Sequence, residues 1–205
     1  MIKKALIETI QRSLLQIDKT ARYHDKLVEA YITMASNTIL GELFRKDSSG
    51  YDLYAKSYIA DVDYDSDSDQ FYSPYPAPIV QTIDPANGVR SINTLDGIGL
   101  EFAPAKAEEL SLFSDVIASK LTMVIPYIPE RGRVLYIGEP LDEDYQAIES
   151  VRMRLVAPFS EYAMDEFFHI PGGSDLHLID TVIQIMGRIP PKDLLNNEKD
   201  TQWTQ

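Results

Sequence analysis

Between Lys3 and Phe44 the apolar residues recur every three to four positions. Leu6, Ile10, Leu14 and Ile17 mark one helix; Val28, Ile32, Ala35, Ile39 and Leu43 mark a second. Each helix has a single apolar stripe, and such a stripe must be buried. The pattern therefore predicts an antiparallel helix pair over 1–46 with apolar surface left for another partner. Asp25 is placed to accept a hydrogen bond from the free N–H groups opening the second helix, and Glu29 adds charge that the helix dipole favours. Gly41 weakens its last turn.

After a polar turn at Arg45–Gly50 the period changes to two. Tyr54, Tyr58, Ala60, Val62 and Tyr64 fall on one side of a strand, with Lys56 the exception; Ser57, Asp61, Asp63 and Asp65 fall on the other. Ser66–Pro78 reads as a loop, because Pro74, Pro76 and Pro78 oppose helix and strand pairing, and it suits an extended arm offered to a partner. Ile79–Ile83 and Val89–Leu95 read as a hairpin about Asp84-Pro85-Ala86-Asn87-Gly88, with Asn-Gly suited to positive φ. Asp96-Gly97 turns into a third strand carrying Ile98, Leu100 and Phe102. Within Pro104–Ile117, Leu110, Phe113 and Ile117 lie at helical spacing. Thr122–Ile128 and Arg133–Ile137 form a second hairpin, and Val151–Ala157 alternates as a further strand. Phe167–Ile170 is a short apolar run. Gly172-Gly173 leads into a last helix capped by Ser174-Asp175, lined by Leu176, Ile179, Val182, Ile183 and Met186 and closed by Gly187.

The fold class that follows is α+β: an N-terminal antiparallel helix pair, a mainly antiparallel β body, one C-terminal helix and an extended tail. The expected partition is a helical pair over 1–46, a β-rich body with the late helix over 47–188, and an arm or disordered tail over 189–205, in one structural unit. A length of 205 residues allows one sizeable core.

Charge and composition narrow the functions. The net charge of −13 argues against wrapping nucleic acid, which needs a concentration of Lys and Arg, and against an anionic membrane surface. It suits a solvated acidic surface or a wall past which DNA slides without adhering. The absence of cysteine excludes disulfides, thiolate metal sites and cysteine nucleophiles. Glu8, Gln11 and Arg12 interrupt the opening apolar run, so it does not read as a signal peptide, and no run approaches the ~20 apolar residues of a spanning helix. A soluble protein is expected.

Candidate chemistry is sparse. Asp61, Asp63 and Asp65, continued by Asp67 and Asp69, are the weak candidates for a calcium site. An EF-hand loop would need glycine and glutamate where Ser66 and Tyr72 stand, and the solvent face of a strand accounts for the alternation. His24, His169 and His177 lack the spacing of a zinc helix, and no serine lies in a nucleophile elbow. Gly97-Ile98-Gly99 is too short for a nucleotide loop, and Gly172-Gly173 lacks the lysine of a phosphate site. The tyrosines between Tyr51 and Tyr75 suit an interface or a sheet core. No catalytic, cofactor-binding or metal residue is assigned, and no cofactor is expected.

The opening, Ala5-Leu6-Ile7-Glu8-Thr9-Ile10 through Val28-Glu29-Ala30-Tyr31-Ile32, then a β-rich middle, then Phe168-His169-Ile170-Pro171-Gly172-Gly173-Ser174 into Leu178-Ile179-Asp180-Thr181-Val182-Ile183 and Pro190-Pro191-Lys192-Asp193-Leu194-Leu195-Asn196, resembles the ring proteins of crAss-like bacteriophage virions. The quoted stretches cover under half of the chain. The resemblance implies a structural, non-enzymatic virion subunit, a head–tail connector or tail-barrel ring of twelve copies between portal and tail. It would be made in the bacterial host cytoplasm, with DNA passing through the ring's channel. Its implied partners are copies of itself, the portal and other ring or tail proteins. Two other classes compete. One is a carbohydrate- or peptide-binding module steadied by calcium at Asp61, Asp63 and Asp65. The other is a glycosidase in which Glu101, Glu130 and Glu161 meet in space.

Overall fold

The computed structural model describes residues 1–19, 22–46, 54–80, 83, 88–95, 100–106, 124–141, 144, 146–169 and 174–187. The fold is α+β, with two N-terminal helices packed together, a curled eight-stranded sheet and a C-terminal helix. The chain divides into two compact units, Met1–Leu40 with Tyr162–Gln205, and Gly41–Glu161. The late helix thus groups with the first two helices and not with the sheet. The turn at 47–50, the helical spacing at 107–117, the glycine pairs at 97–99 and 172–173, and the tail at 189–205 lie outside the described residues.

In the helical unit, α1 (Lys3–Ile17) buries Lys3, Leu6, Ile7, Ile10 and Leu14. From α2 (Asp25–Lys46), Val28, Ile32, Ala35, Ile39 and Leu40 are buried. The α1 stripe thus begins one turn earlier than its apolar residues alone suggest, at a lysine. It also ends earlier: Ile17, expected inside, is 64% exposed, because it is the last helical residue and Asp18 already leaves in extended backbone. The cap of α2 is likewise displaced by one residue. His24 Nδ1 accepts from the Lys26 N–H at 3.2 Å, while Asp25 is the first helical residue and accepts from Gln11 Nε2 at 2.7 Å.

No side chain caps α1. Its first free donors are instead satisfied by carbonyls from the far end of the chain, Lys3 N–H to Glu166 O at 3.0 Å and Lys4 N–H to Met164 O at 2.9 Å. That segment makes a single bridge, Phe167 with Ile2, in place of the short strand that Phe167–Ile170 suggests; Ile170 lies outside the described residues. Phe168 is buried edge-on against Tyr162, with ring centroids 5.0 Å apart. In α3 (Ser174–Gly187), Leu178, Ile179, Val182 and Met186 are buried, whereas Leu176 is 73% exposed. Leu178 is two residues further along, about 200° round the helix, so the two cannot share a face.

The sheet unit contains β1 (Ala55–Asp61), β2 (Asp63–Asp65), β3 (Gln70–Pro74), β4 (Val89–Thr94), β5 (Glu101–Pro104), β6 (Val124–Pro129), β7 (Arg133–Tyr136) and β8 (Ser150–Val156). Their order is β1-β8-β4-β5-β6-β7-β3-β2. The two ends of that order, β1 and β2, are one run of chain broken only at Val62, and β1 also approaches β3. The sheet therefore curls until its ends meet on a single bent strand, which removes most of the exposed edge. All pairs are antiparallel except β5 with β6.

Alternation fills the inside of the curl. Ala60, Ile92, Phe102, Ile125, Tyr127, Tyr136, Val151 and Met153 form one apolar cluster, with Tyr58, Val62 and Phe71 packed against it. Tyr64 keeps the predicted phase, since it pairs with Phe71 and Phe71 with Tyr136, but it stands at the mouth and is 52% exposed. Within this core Tyr136 Oη donates to Ser73 Oγ at 2.9 Å.

Three expectations for this unit are corrected. The first concerns Ser66–Pro78, which is not a loop throughout. Gln70–Pro74 is β3, paired on both sides, because its only proline stands at the strand's end. The prolines beyond it do not form a free arm: Tyr75 Oη donates to Glu130 O at 2.8 Å and Val80 N–H to Val156 O at 3.0 Å. The second concerns Ile79–Ile83, whose described residues form no strand; the hydrogen-bonded neighbours of β4 are β8 and β5. The third concerns Gly88, which does not take positive φ; among the described glycines only Gly132 and Gly138 do. Gly88 is needed for space, since a Cβ there would lie 2.3 Å from Ile79 Cγ2. The hairpin β6–β7 and the strand β8 stand as expected.

Candidate functional site

The sheet unit carries most of the charge: 21 Asp and Glu against 10 Lys and Arg, a net −11 of the chain's −13. Much of it gathers along the bent strand and the hairpin that follows. Asp61 and Asp63 are exposed, Asp65 half-buried, and Asp67 and Asp69 exposed. The turn Ser66–Asp69 holds itself in shape. Asp65 Oδ1 accepts from the Asp67 N–H at 3.1 Å, Asp69 adopts φ 54°, and Tyr64 Oη donates to Asp69 Oδ1. Asp and Asn tolerate such left-handed backbone better than most residues.

Asp65 is also, among the described residues, the one carboxylate of this run in an ion pair. Arg133 lies over the Tyr72 ring, 5.5 Å from its centroid, and is held between Asp65 Oδ2 at 3.7 Å and Glu130 Oε2 at 3.2 Å. The hydrogen bond from Ser68, then that from the Asp67 N–H, with the Arg133 charge behind them, hold the Asp65 carboxyl below its ordinary range. Burial pushes the Tyr136 phenol well up, and Tyr127 beside it up as well.

Beside this hairpin, where β3 and β7 stop pairing beyond Phe71 and Tyr136, the chain parts to leave a crevice of about 290 Å³. Phe71, Leu135, Tyr136 and Ile137 are among its lining residues, of which Phe71 and Ile137 are half-buried; Asp69 and Glu139, both exposed, line it as well. Sequence reading missed Glu139. Its only signal is position, one residue after Gly138, whose φ of 98° turns the chain away from the sheet. A wider groove of about 760 Å³ runs along Tyr75, Ala77, Pro78, Ile79 and Val80.

The other sequence candidates do not converge. Asp61, Asp63 and Asp65 stand in a row along one strand, and among the described residues no group of three or more His, Asp or Glu could hold a metal ion. Glu101 is exposed on β5, Glu130 is engaged with Arg133 in the β6–β7 turn, and Glu161 ends a short 3-10 turn after β8. His24 serves as a cap, His169 packs at a tilt against Phe167 with centroids 4.8 Å apart, and the His177 carbonyl accepts from Thr181. Of the tyrosines, Tyr54 is buried, Tyr58, Tyr72 and Tyr75 are half-buried and Tyr64 is exposed; Tyr51 lies outside the described residues.

The helical unit presents a different surface. Ile2 is 45% exposed, Met164 43% and Phe167 52%, and the Ile2–Phe167 bridge places two of them side by side. Cations mark the α1–α2 turn, where Lys19, Arg22 and Lys26 are exposed. Arg12 is half-committed to Glu8 at 3.6 Å. No described helix is long and apolar enough to cross a membrane. A scan of protein-family models and a search of curated proteins find no match to this chain.

Proposed function

We propose that this chain is a structural virion protein, a subunit of an oligomeric ring between portal and tail around the DNA channel of a tailed phage, present in twelve copies. The observation that carries the reading is the division of surface character. One unit bears nearly all the net charge and the other bears exposed apolar residues and a cationic turn. Ring subunits need unlike faces, because the front of each copy meets the back of the next. A channel wall that must pass DNA gains from fixed negative charge, which repels the phosphate backbone. The resemblance of the helical opening and of the Phe168–Asn196 stretch to crAss-like ring proteins supports the same reading.

The test is to locate the chain in particles. Antibody raised against it should label the head–tail junction of purified virions, and quantitative mass spectrometry should find about twelve copies per particle, as rotational closure requires a fixed number. A chain abundant in infected cells but absent from purified virions would overturn the proposal.

A further inference from the structure

The crevice at the end of β3 and β7 combines an apolar floor with an acidic rim. At about 290 Å³ it sits at the small end of the ~300–1,000 Å³ typical of small-molecule sites. That is room for one long side chain. An aliphatic stem would lie on the apolar lining at Phe71 and Ile137, while a terminal cation meets Asp69 and Glu139. Lys and Arg are built this way, with an apolar stem and a charged head. Glu139 makes no ion pair among the described residues, and Asp69 is engaged only by the Tyr64 hydroxyl. The surrounding hairpin adds the field of Asp61, Asp63 and Asp67.

The matching cations lie on the same chain's other unit. Lys19, Arg22 and Lys26 are exposed at the α1–α2 turn, where the acids in sequence are Asp18 and Asp25; Asp25 already accepts from Gln11. We infer that the crevice receives a cationic side chain from a second copy of this chain, Lys26 in the first turn of α2 with Arg22 nearby in sequence, entering between Asp69 and Glu139. The inference rests on the self-assembling reading above and names the surfaces through which copies meet. An acidic face on one unit and a basic face on the other make a head-to-tail contact, which propagates from copy to copy and closes as a ring when the rotation allows. Opposed charge of this kind also speeds encounter and fixes register.

Two charge-reversed proteins test it, Glu139→Lys and the pair Arg22→Glu with Lys26→Glu. All the altered side chains are exposed, and unchanged melting curves would show that folding is intact. In sedimentation equilibrium at low salt each is expected to weaken self-association by about tenfold or more, the scale of a single well-placed charge pair. Combined in one chain, they should restore association to within about threefold of the starting protein, the signature of a direct pair. A mixture of light and nitrogen-15-labelled wild-type chains, treated with a zero-length carbodiimide, should give Lys26–Glu139 links of mixed isotope. Reversals without effect, a combination that fails to restore, mixed links absent from this pair, or a chain monomeric to its solubility limit would overturn the contact. In any of those cases the ring reading is still decided separately, by the labelling of virions.

Discussion

Replacing Glu29 with alanine strands the ammonium of Lys3, and the cost follows from where that ammonium sits. Lys3 is 3% exposed, and its Nζ donates to Glu29 Oε1 and to Tyr162 O at 2.7 Å. Glu29 is the wetter partner, with its side chain 20% exposed. Breaking a buried ion pair from one side costs about 3–5 kcal/mol, because an uncompensated charge remains. With the Tyr162 carbonyl still in place, Glu29→Ala belongs at the lower end, about 3 kcal/mol. Lys3→Met keeps the stem and leaves a carboxylate that can reach water; the lost hydrogen bonds then set the cost, at about 1–2 kcal/mol. The double variant Lys3→Met, Glu29→Gln leaves no buried charge and should be more stable than Glu29→Ala alone. Urea titrations followed by far-ultraviolet circular dichroism, with hydrogen exchange of the α1 amides as the local readout, measure the order. If Lys3→Met costs as much as Glu29→Ala, or if the two changes add, the pair is not the anchor of this helix contact and the reasoning fails.

Within the sheet, Tyr136→Phe strands the buried Ser73 hydroxyl and should cost about 1–2 kcal/mol, while Tyr136→Phe with Ser73→Ala should cost less than either alone. Because burial raises the Tyr136 phenol in the folded state, its contribution is complete below about pH 10, its unfolded value, and is lost as pH rises toward the folded one; Tyr136→Phe should therefore flatten the alkaline loss of stability seen in denaturant titrations. Gly88→Ala brings a methyl against Ile79 Cγ2 and should cost about 1–3 kcal/mol, with Ile79→Ala in the same chain recovering part of it; equal melting of Gly88→Ala and the parent would refute the close approach. Asp65, held low chiefly by Ser68, should titrate below an ordinary aspartate by carbon-13 NMR and move up in Ser68→Ala; its stabilising contribution is present above the unfolded aspartate value and is lost as pH falls through the folded one.

Much of this architecture is legible in periodicity, for a physical reason. A helix with one buried face and a strand with one buried face each write their period into the chain, so α1, α2, β1, the β6–β7 hairpin, β8 and α3 could be anticipated. The failures share a cause as well. Lys3 is inside because acceptors at Glu29 and Tyr162 meet it from elements distant in sequence, whereas hydropathy places lysine outside. Ile17 is outside because it ends its helix, and Leu176 because it lies across the helix from the buried Leu178. β3 is hidden in the sequence because the prolines of Ser66–Pro78 lie from Pro74 onward, and its portion Gln70–Ser73 contains none. His24 took the cap from Asp25 because the helix begins one residue earlier than the charge pattern suggests, a shift that leaves the apolar stripe unchanged.

Function is harder to read because the candidate site belongs to a junction and to no motif. Phe71 and Tyr136 are adjacent through the β3–β7 register, and Asp69 and Glu139 arrive only because the chain turns away at a left-handed Asp69 and again at Gly138. Each residue alone reads as a strand aromatic or a loop acid. What joins them is the curl of the sheet, which sends β2 and β3 back beside β7 and opens the crevice where that pairing stops. A closed or nearly closed sheet has little edge left for recruiting another strand. Recognition of a partner by such a unit would run through strand ends, hairpins and side-chain pockets. The acidic hairpin and crevice are the features of that kind with an opposite charge available elsewhere on the chain. The self-recognition by charge proposed above therefore draws on the topology as well as on the composition.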